Sequence, residues 1–72
     1  MYGERLRKAR KNMGMTLAQV AQLMNTTHAT ISRYEHEKRK LDPETIVTFC
    51  KLYNISSDYV LGLPQGMPYP EN

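Results

Sequence analysis

Residues 16–35 read TLAQVAQLMNTTHATISRYE and hold two short amphipathic segments separated by a polar break too small for an ordinary loop. Such a pattern is the sequence form of a helix-turn-helix. Thr16 followed three residues later by Gln19 predicts a capping box, with Met15 and Val20 at the two staple positions. Leu17, Val20, Ala21 and Met24 then repeat at helical spacing as a single apolar stripe. Asn25 closes this helix, because a residue that tolerates positive φ is wanted there. Thr27 is placed to cap a second helix, whose inward positions are Ile31 and Tyr34. Ala21 is the small residue that lets the two helices approach at their crossing.

On the amino-terminal side, Tyr2, Leu6, Ala9 and Met13 step by four, three and four, which predicts a helix over 2–13 with one core-facing stripe. Its other faces carry Arg5, Arg7, Lys8, Arg10 and Lys11, and Gly14 ends it in a left-handed cap. On the carboxy-terminal side, the run HEKRKLD leaves the helical pattern and is rich in cations. Leu41, Asp42, Pro43 and Glu44 form a compact helix start, with a staple residue, an N-cap, a proline at the first helical position and an acid in the first turn. Ile46, Phe49, Cys50 and Tyr53 define the buried face of that fourth helix, and Asn54 stops it. Ser56 caps a short fifth helix running through Leu61, with Ile55 packing on Val60 and Gly62 at its end. Residues 64–72 carry three of the four prolines without periodicity and read as an irregular tail or the start of a linker; Met67 and Tyr69 are the residues there that could fold back.

Seventy-two residues make one domain, and 40% apolar content with no Trp and one Phe suits a compact helical unit better than packed sheets. No apolar run approaches the length of a membrane span, and the charged start MYGERLRKAR lacks the apolar core of a signal peptide, so the expected location is the cytoplasm. The single cysteine, Cys50, cannot form an internal disulfide and is expected to pack in the core. The net charge of +3 conceals an asymmetry: residues 1–40 hold nine Lys or Arg against three acids, whereas residues 41–72 hold one Lys against four acids. The basic half is the one that contains the two paired helices. That coincidence favours nucleic acid as the partner over a merely solvated basic face.

The arrangement resembles the Cro/cI-type repressors, the xenobiotic-response-element family of bacterial and phage regulators. The matching pattern is Val20-Ala21, the turn residue Asn25, Ile31-Ser32, Glu35 and the basic run from Lys38 to Lys40, and the likeness extends over residues 2–63. Asn25 stands where the family usually has Gly, and Leu17 stands where it usually has a Gln that touches a phosphate. The resemblance implies an all-α, five-helix, lambda repressor-like domain with its helix-turn-helix at about residues 16–36. It implies that Arg10 pairs with Glu35, and that the surface beside the last helix, with Tyr59, Leu61 and Leu63, joins two protomers. It also points to positions 28, 29 and 33 as readers of base edges.

A recognition helix enters the major groove with its amino-terminal residues toward the bases, here Thr27, His28, Ala29 and, one turn on, Arg33. Arg33 can offer a bidentate fork to guanine, and the Ala29 methyl can fill space beside a thymine methyl. Thr16, Thr30 and Ser32 are expected at the sugar-phosphate backbone together with His36, Lys38, Arg39 and Lys40, which would fix register without reading sequence. The expected function is therefore that of a transcriptional regulator, a repressor by the simplest mechanism, acting as a homodimer on a palindromic operator in double-stranded DNA. The competing expectation is a protein-interaction adaptor on the same fold, such as an antitoxin or bridging factor, using the fifth helix and the tail. No catalytic set is visible, and His28 and His36, eight residues apart without matching Cys or acid partners, do not make a metal site; no cofactor or small-molecule ligand is expected.

Overall fold

A computed structural model describes residues 1–63, and five helices account for most of them. They are α1 (Tyr2–Asn12), α2 (Leu17–Leu23), α3 (His28–Glu35), α4 (Pro43–Tyr53) and α5 (Ser57–Leu61), with no strand among the described residues. The expectations for Met67, Tyr69 and the rest of residues 64–72 lie outside that range.

Four of the five helix starts are set by a side chain that takes up an orphan amide. Thr16 and Gln19 form the reciprocal capping box of α2; Thr27, Asp42 and Ser56 each accept from the amide three residues on at α3, α4 and α5. Backbone hydrogen bonding holds the Asp42 carboxyl below its ordinary pKa, with Thr45 the partner. Every helix end is followed by a residue in the left-handed region: Gly14, Asn25, Glu37, Asn54 and Gly62. Four of these are glycine or asparagine, as the sequence suggests, and the fifth is a glutamate.

The helices close over one core of Leu6, Ala9, Val20, Ala21, Ile31, Tyr34, Phe49, Tyr53 and Val60. Leu6, Val20, Ile31 and Val60 are completely buried, each contributing about 1.5–3 kcal/mol by leaving water. An aromatic column links α3 to α4: Phe49 meets Tyr34 edge to face at 5.6 Å and stacks on Tyr53 at 5.6 Å. Ala21 is buried where α2 crosses α3, the place its small side chain predicts.

Two core assignments need correction. Met13 is 46% exposed, because α1 stops at Asn12 and Met13 is its cap rather than a further turn of the buried stripe. Ile46 and Cys50 are half-buried rather than buried, on the flank of the face that Phe49 and Tyr53 bury, although Cys50 does pack against the core as expected. Partial burial pushes the Cys50 thiol above its ordinary pKa.

Candidate nucleic-acid interface

The outward face of α3 is set by what its inward face does. Ile31 and Tyr34 are buried, and so is Glu35 at the end of the helix. Residues about a half-turn away from these point to solvent, which leaves His28 and Arg33 exposed and Ala29, Thr30 and Ser32 half-buried. Thr27 is exposed, but its hydroxyl is already engaged: it accepts from the Thr30 amide at 3.3 Å and lies 3.0 Å from the Thr30 hydroxyl. Thr16 is likewise exposed with its hydroxyl accepting from the Gln19 amide at 3.1 Å.

Arg10 fixes α3 in place. Its Nε donates to Glu35 Oε2 at 2.7 Å and its Nη2 to Oε1 at 3.1 Å, a bidentate pair, while Nη1 donates to the Met15 carbonyl at 2.9 Å. One guanidinium thereby joins α1, α3 and the link into α2. The hydrogen bond with Glu35 raises the guanidinium pKa further above its already high value. The expected pairing of Arg10 with Glu35 is therefore present, and it is buried.

A second close approach was not legible in the sequence. Gly3 faces the backbone of Glu35, and a Cβ there would collide with the Glu35 carbonyl oxygen. The only hint available was a glycine one residue inside a predicted helix, which by itself names no neighbour.

The cations beyond α3 are placed by a Schellman turn. Glu37 takes φ 58°, its amide donates to the Tyr34 carbonyl at 3.2 Å, and the Lys38 amide donates to the Arg33 carbonyl at 2.8 Å. The chain thus folds back over the last turn of α3, bringing Lys38 beside the backbone of Arg33. His36 Nδ1 lies 2.8 Å from the Ser32 carbonyl, which can only accept, so the ring proton sits on Nδ1 and Nε2 is left for another partner. Lys38, Arg39 and Lys40 are exposed, with the Arg39 guanidinium 5.6 Å from the centre of the Tyr34 ring. The Tyr2 hydroxyl donates to the Arg39 carbonyl at 2.9 Å.

The bond from Lys38 to Arg33 sets the Lys38–Lys40 segment against the last turn of α3, and the side chains of Arg33, Lys38, Arg39 and Lys40 are all exposed. Tyr59, Leu61 and Leu63 belong to a different region, on and just after α5, with Tyr59 half-buried and the two leucines about half exposed. Among the described residues, no three His, Cys, Asp or Glu side chains gather as metal ligands would.

A helix-turn-helix family model matches residues 6–60. The chain belongs to the Cro/cI-type helix-turn-helix family. Among curated relatives of this helix-turn-helix domain is the HTH-type transcriptional regulator ImmR of Bacillus subtilis (strain 168), 38% identical over 60 residues that make up 83% of this chain and 47% of that protein. The uncharacterized HTH-type transcriptional regulator YobD of the same strain is 36% identical over 63 residues, 88% of this chain and 56% of that one. The helix-turn-helix domain spans about half the length of these two relatives. In structure it is similar to the P22 c2 repressor, solved in complex with synthetic operator 9T, with a TM-score of 0.76 and 25% identity over 83% of this chain and 91% of that one. The fold is lambda repressor-like, and these relatives are transcriptional regulators or repressors rather than enzymes.

Proposed function

We propose that this domain reads double-stranded DNA as a sequence-specific transcriptional regulator, with α3 in the major groove and repression as its mode of action. The observation that carries the proposal is the folding of the exposed Lys38–Lys40 cations against the last turn of α3, which carries the exposed Arg33, by the Lys38 amide on the Arg33 carbonyl, backed by the buried Arg10–Glu35 pair. Such an arrangement combines a side chain able to read guanine with nearby charges able to neutralise phosphates. Thr27, His28, Ala29 and Arg33 are the proposed base contacts, and Thr16, Thr30, Ser32, His36, Lys38, Arg39 and Lys40 the proposed backbone contacts. The likeness to a repressor solved on its operator supports the same use of the fold.

The domain acts as a homodimer on a palindromic operator in the cytoplasm, with Tyr59, Leu61 and Leu63 at the protomer contact. Half-exposed leucines on and after α5 support that contact, since two such side chains in water are better buried against a second copy. Selection of bound sequences from a random duplex library at physiological salt tests the proposal. A palindromic consensus with half-sites about one helical turn apart is the expected result. Recovery of no consensus, with weak salt-sensitive binding alone, overturns sequence-specific reading and turns attention to protein partners of α5.

A further inference from the structure

The cations of residues 38–40 lie on a loop, and loops left to themselves sample many conformations before binding. Here the loop has three attachments. The Lys38 amide is bonded to the Arg33 carbonyl, the Arg39 guanidinium lies over Tyr34, and the Arg39 carbonyl receives the Tyr2 hydroxyl from the first turn of α1, thirty-seven residues away in sequence. Next to Tyr2, Gly3 lets α1 come so close that it touches the Glu35 backbone, which is what brings the phenol within reach. The first two attachments belong to α3 and the loop itself; Tyr2 alone comes from a helix that contributes no proposed DNA contact.

We propose that Tyr2 is a positioning residue for DNA binding: its hydroxyl, by holding the Arg39 carbonyl, fixes the Arg39–Lys40 peptide and so presets the directions in which Lys38 and Lys40 leave the surface. This rests on the reading of the loop as a phosphate contact. The physical basis is preorganisation. A loop already held in its bound shape loses less freedom on binding, so the same charges give more affinity. Slight desolvation and the neighbouring Glu37 carboxylate both raise the pKa of the Tyr2 phenol, which is already protonated and able to donate through the neutral range.

Tyr2→Phe tests the inference, because it deletes one oxygen and keeps the ring. Two readouts are needed. The first, without DNA, is hydrogen exchange at the Lys38 amide and its loop neighbours: release of the clamp speeds it about 2- to 10-fold, as loss of one net hydrogen bond would. The second is affinity for a random-sequence duplex as a function of salt. The variant binds several-fold more weakly across the salt range with an unchanged log–log slope, because the same phosphates are neutralised at a higher ordering cost. A purely structural role would instead lower the thermal midpoint and leave the affinity of the folded fraction unchanged. Unchanged loop exchange, or an unchanged affinity of the folded fraction, overturns the clamp. A parent chain that binds no duplex at all overturns the DNA reading, and in that case the exchange arm still decides whether Tyr2 orders the loop.

Discussion

Three nitrogens of Arg10 each find an oxygen, two on the Glu35 carboxylate and one on the Met15 carbonyl, and the pair is buried. Removing one partner leaves the other charge in a dry setting without compensation, so Glu35→Ala is expected to lower stability by about 3 kcal/mol, measured by urea unfolding. A change near 0.5 kcal/mol, the scale of an exposed pair, would mean that water reaches the site. Tyr53 presents the opposite case, since its hydroxyl is buried with no hydrogen-bond partner among the described residues. Tyr53→Phe keeps the stack on Phe49 and removes the unsatisfied group, so it should gain about 1 kcal/mol. Burial raises the Tyr53 pKa in the folded state, so folding holds that proton more tightly than the unfolded chain does. The stability linked to this proton is therefore complete below the ordinary tyrosine value of about 10 and declines as pH rises above it. The parent should lose stability between about pH 10 and 11 more steeply than Tyr53→Phe does.

At the scale of the helices, the starts were largely legible because capping chemistry is local: Thr16 with Gln19, Thr27, Asp42 with Pro43, and Ser56 all act within three residues. The ends were legible where glycine or asparagine marks the left-handed residue. They were not at Glu37, whose φ of 58° is imposed by the Schellman bonds after α3 and by the packing of α1, neither of which a glutamate signals. The same logic predicts that Glu37→Gly relieves strain and raises stability by about 1 kcal/mol, seen as a higher midpoint in thermal unfolding. The opposite sign would show that the Glu37 side chain contributes more than its backbone costs. Met13 was misread for a related reason, since helical periodicity does not say where the last turn ends.

For the molecule as a whole, charge is divided along the chain: the basic half carries the helix-turn-helix, and the acidic half carries α4 and α5. The Lys38–Lys40 loop folds back onto the last turn of α3 beside Arg33, whereas the leucines of the proposed protomer contact lie on and after α5. Residue types and spacing made this division visible in outline; what they could not supply was the clasp of α1 on the loop, because Tyr2 and Arg39 are distant in sequence and meet only through a backbone carbonyl. Under the proposed function, Arg33→Ala should relax specificity at one base position and cost about 1–3 kcal/mol, while Lys38→Ala should weaken all sequences alike. Equilibrium titration of each variant against the selected operator and a random duplex distinguishes the two. Equal loss on both duplexes for both variants would remove Arg33 from base reading.

The bond between Arg10 and Glu35 spans twenty-five positions and crosses from outside the helix-turn-helix into it. The eight residues of α3 are too few to be helical alone in water, and besides packing on α2 they are held from outside the pair by α1, through Arg10 and the close approach at Gly3, and by Phe49 of α4 against Tyr34. The paired helices are accordingly not a portable cassette. A synthetic peptide of residues 16–36 should show the circular dichroism of a disordered chain, and grafting it onto another scaffold would transfer its letters without its shape unless an arginine, a close-packed glycine and the leucine beneath them travelled with it.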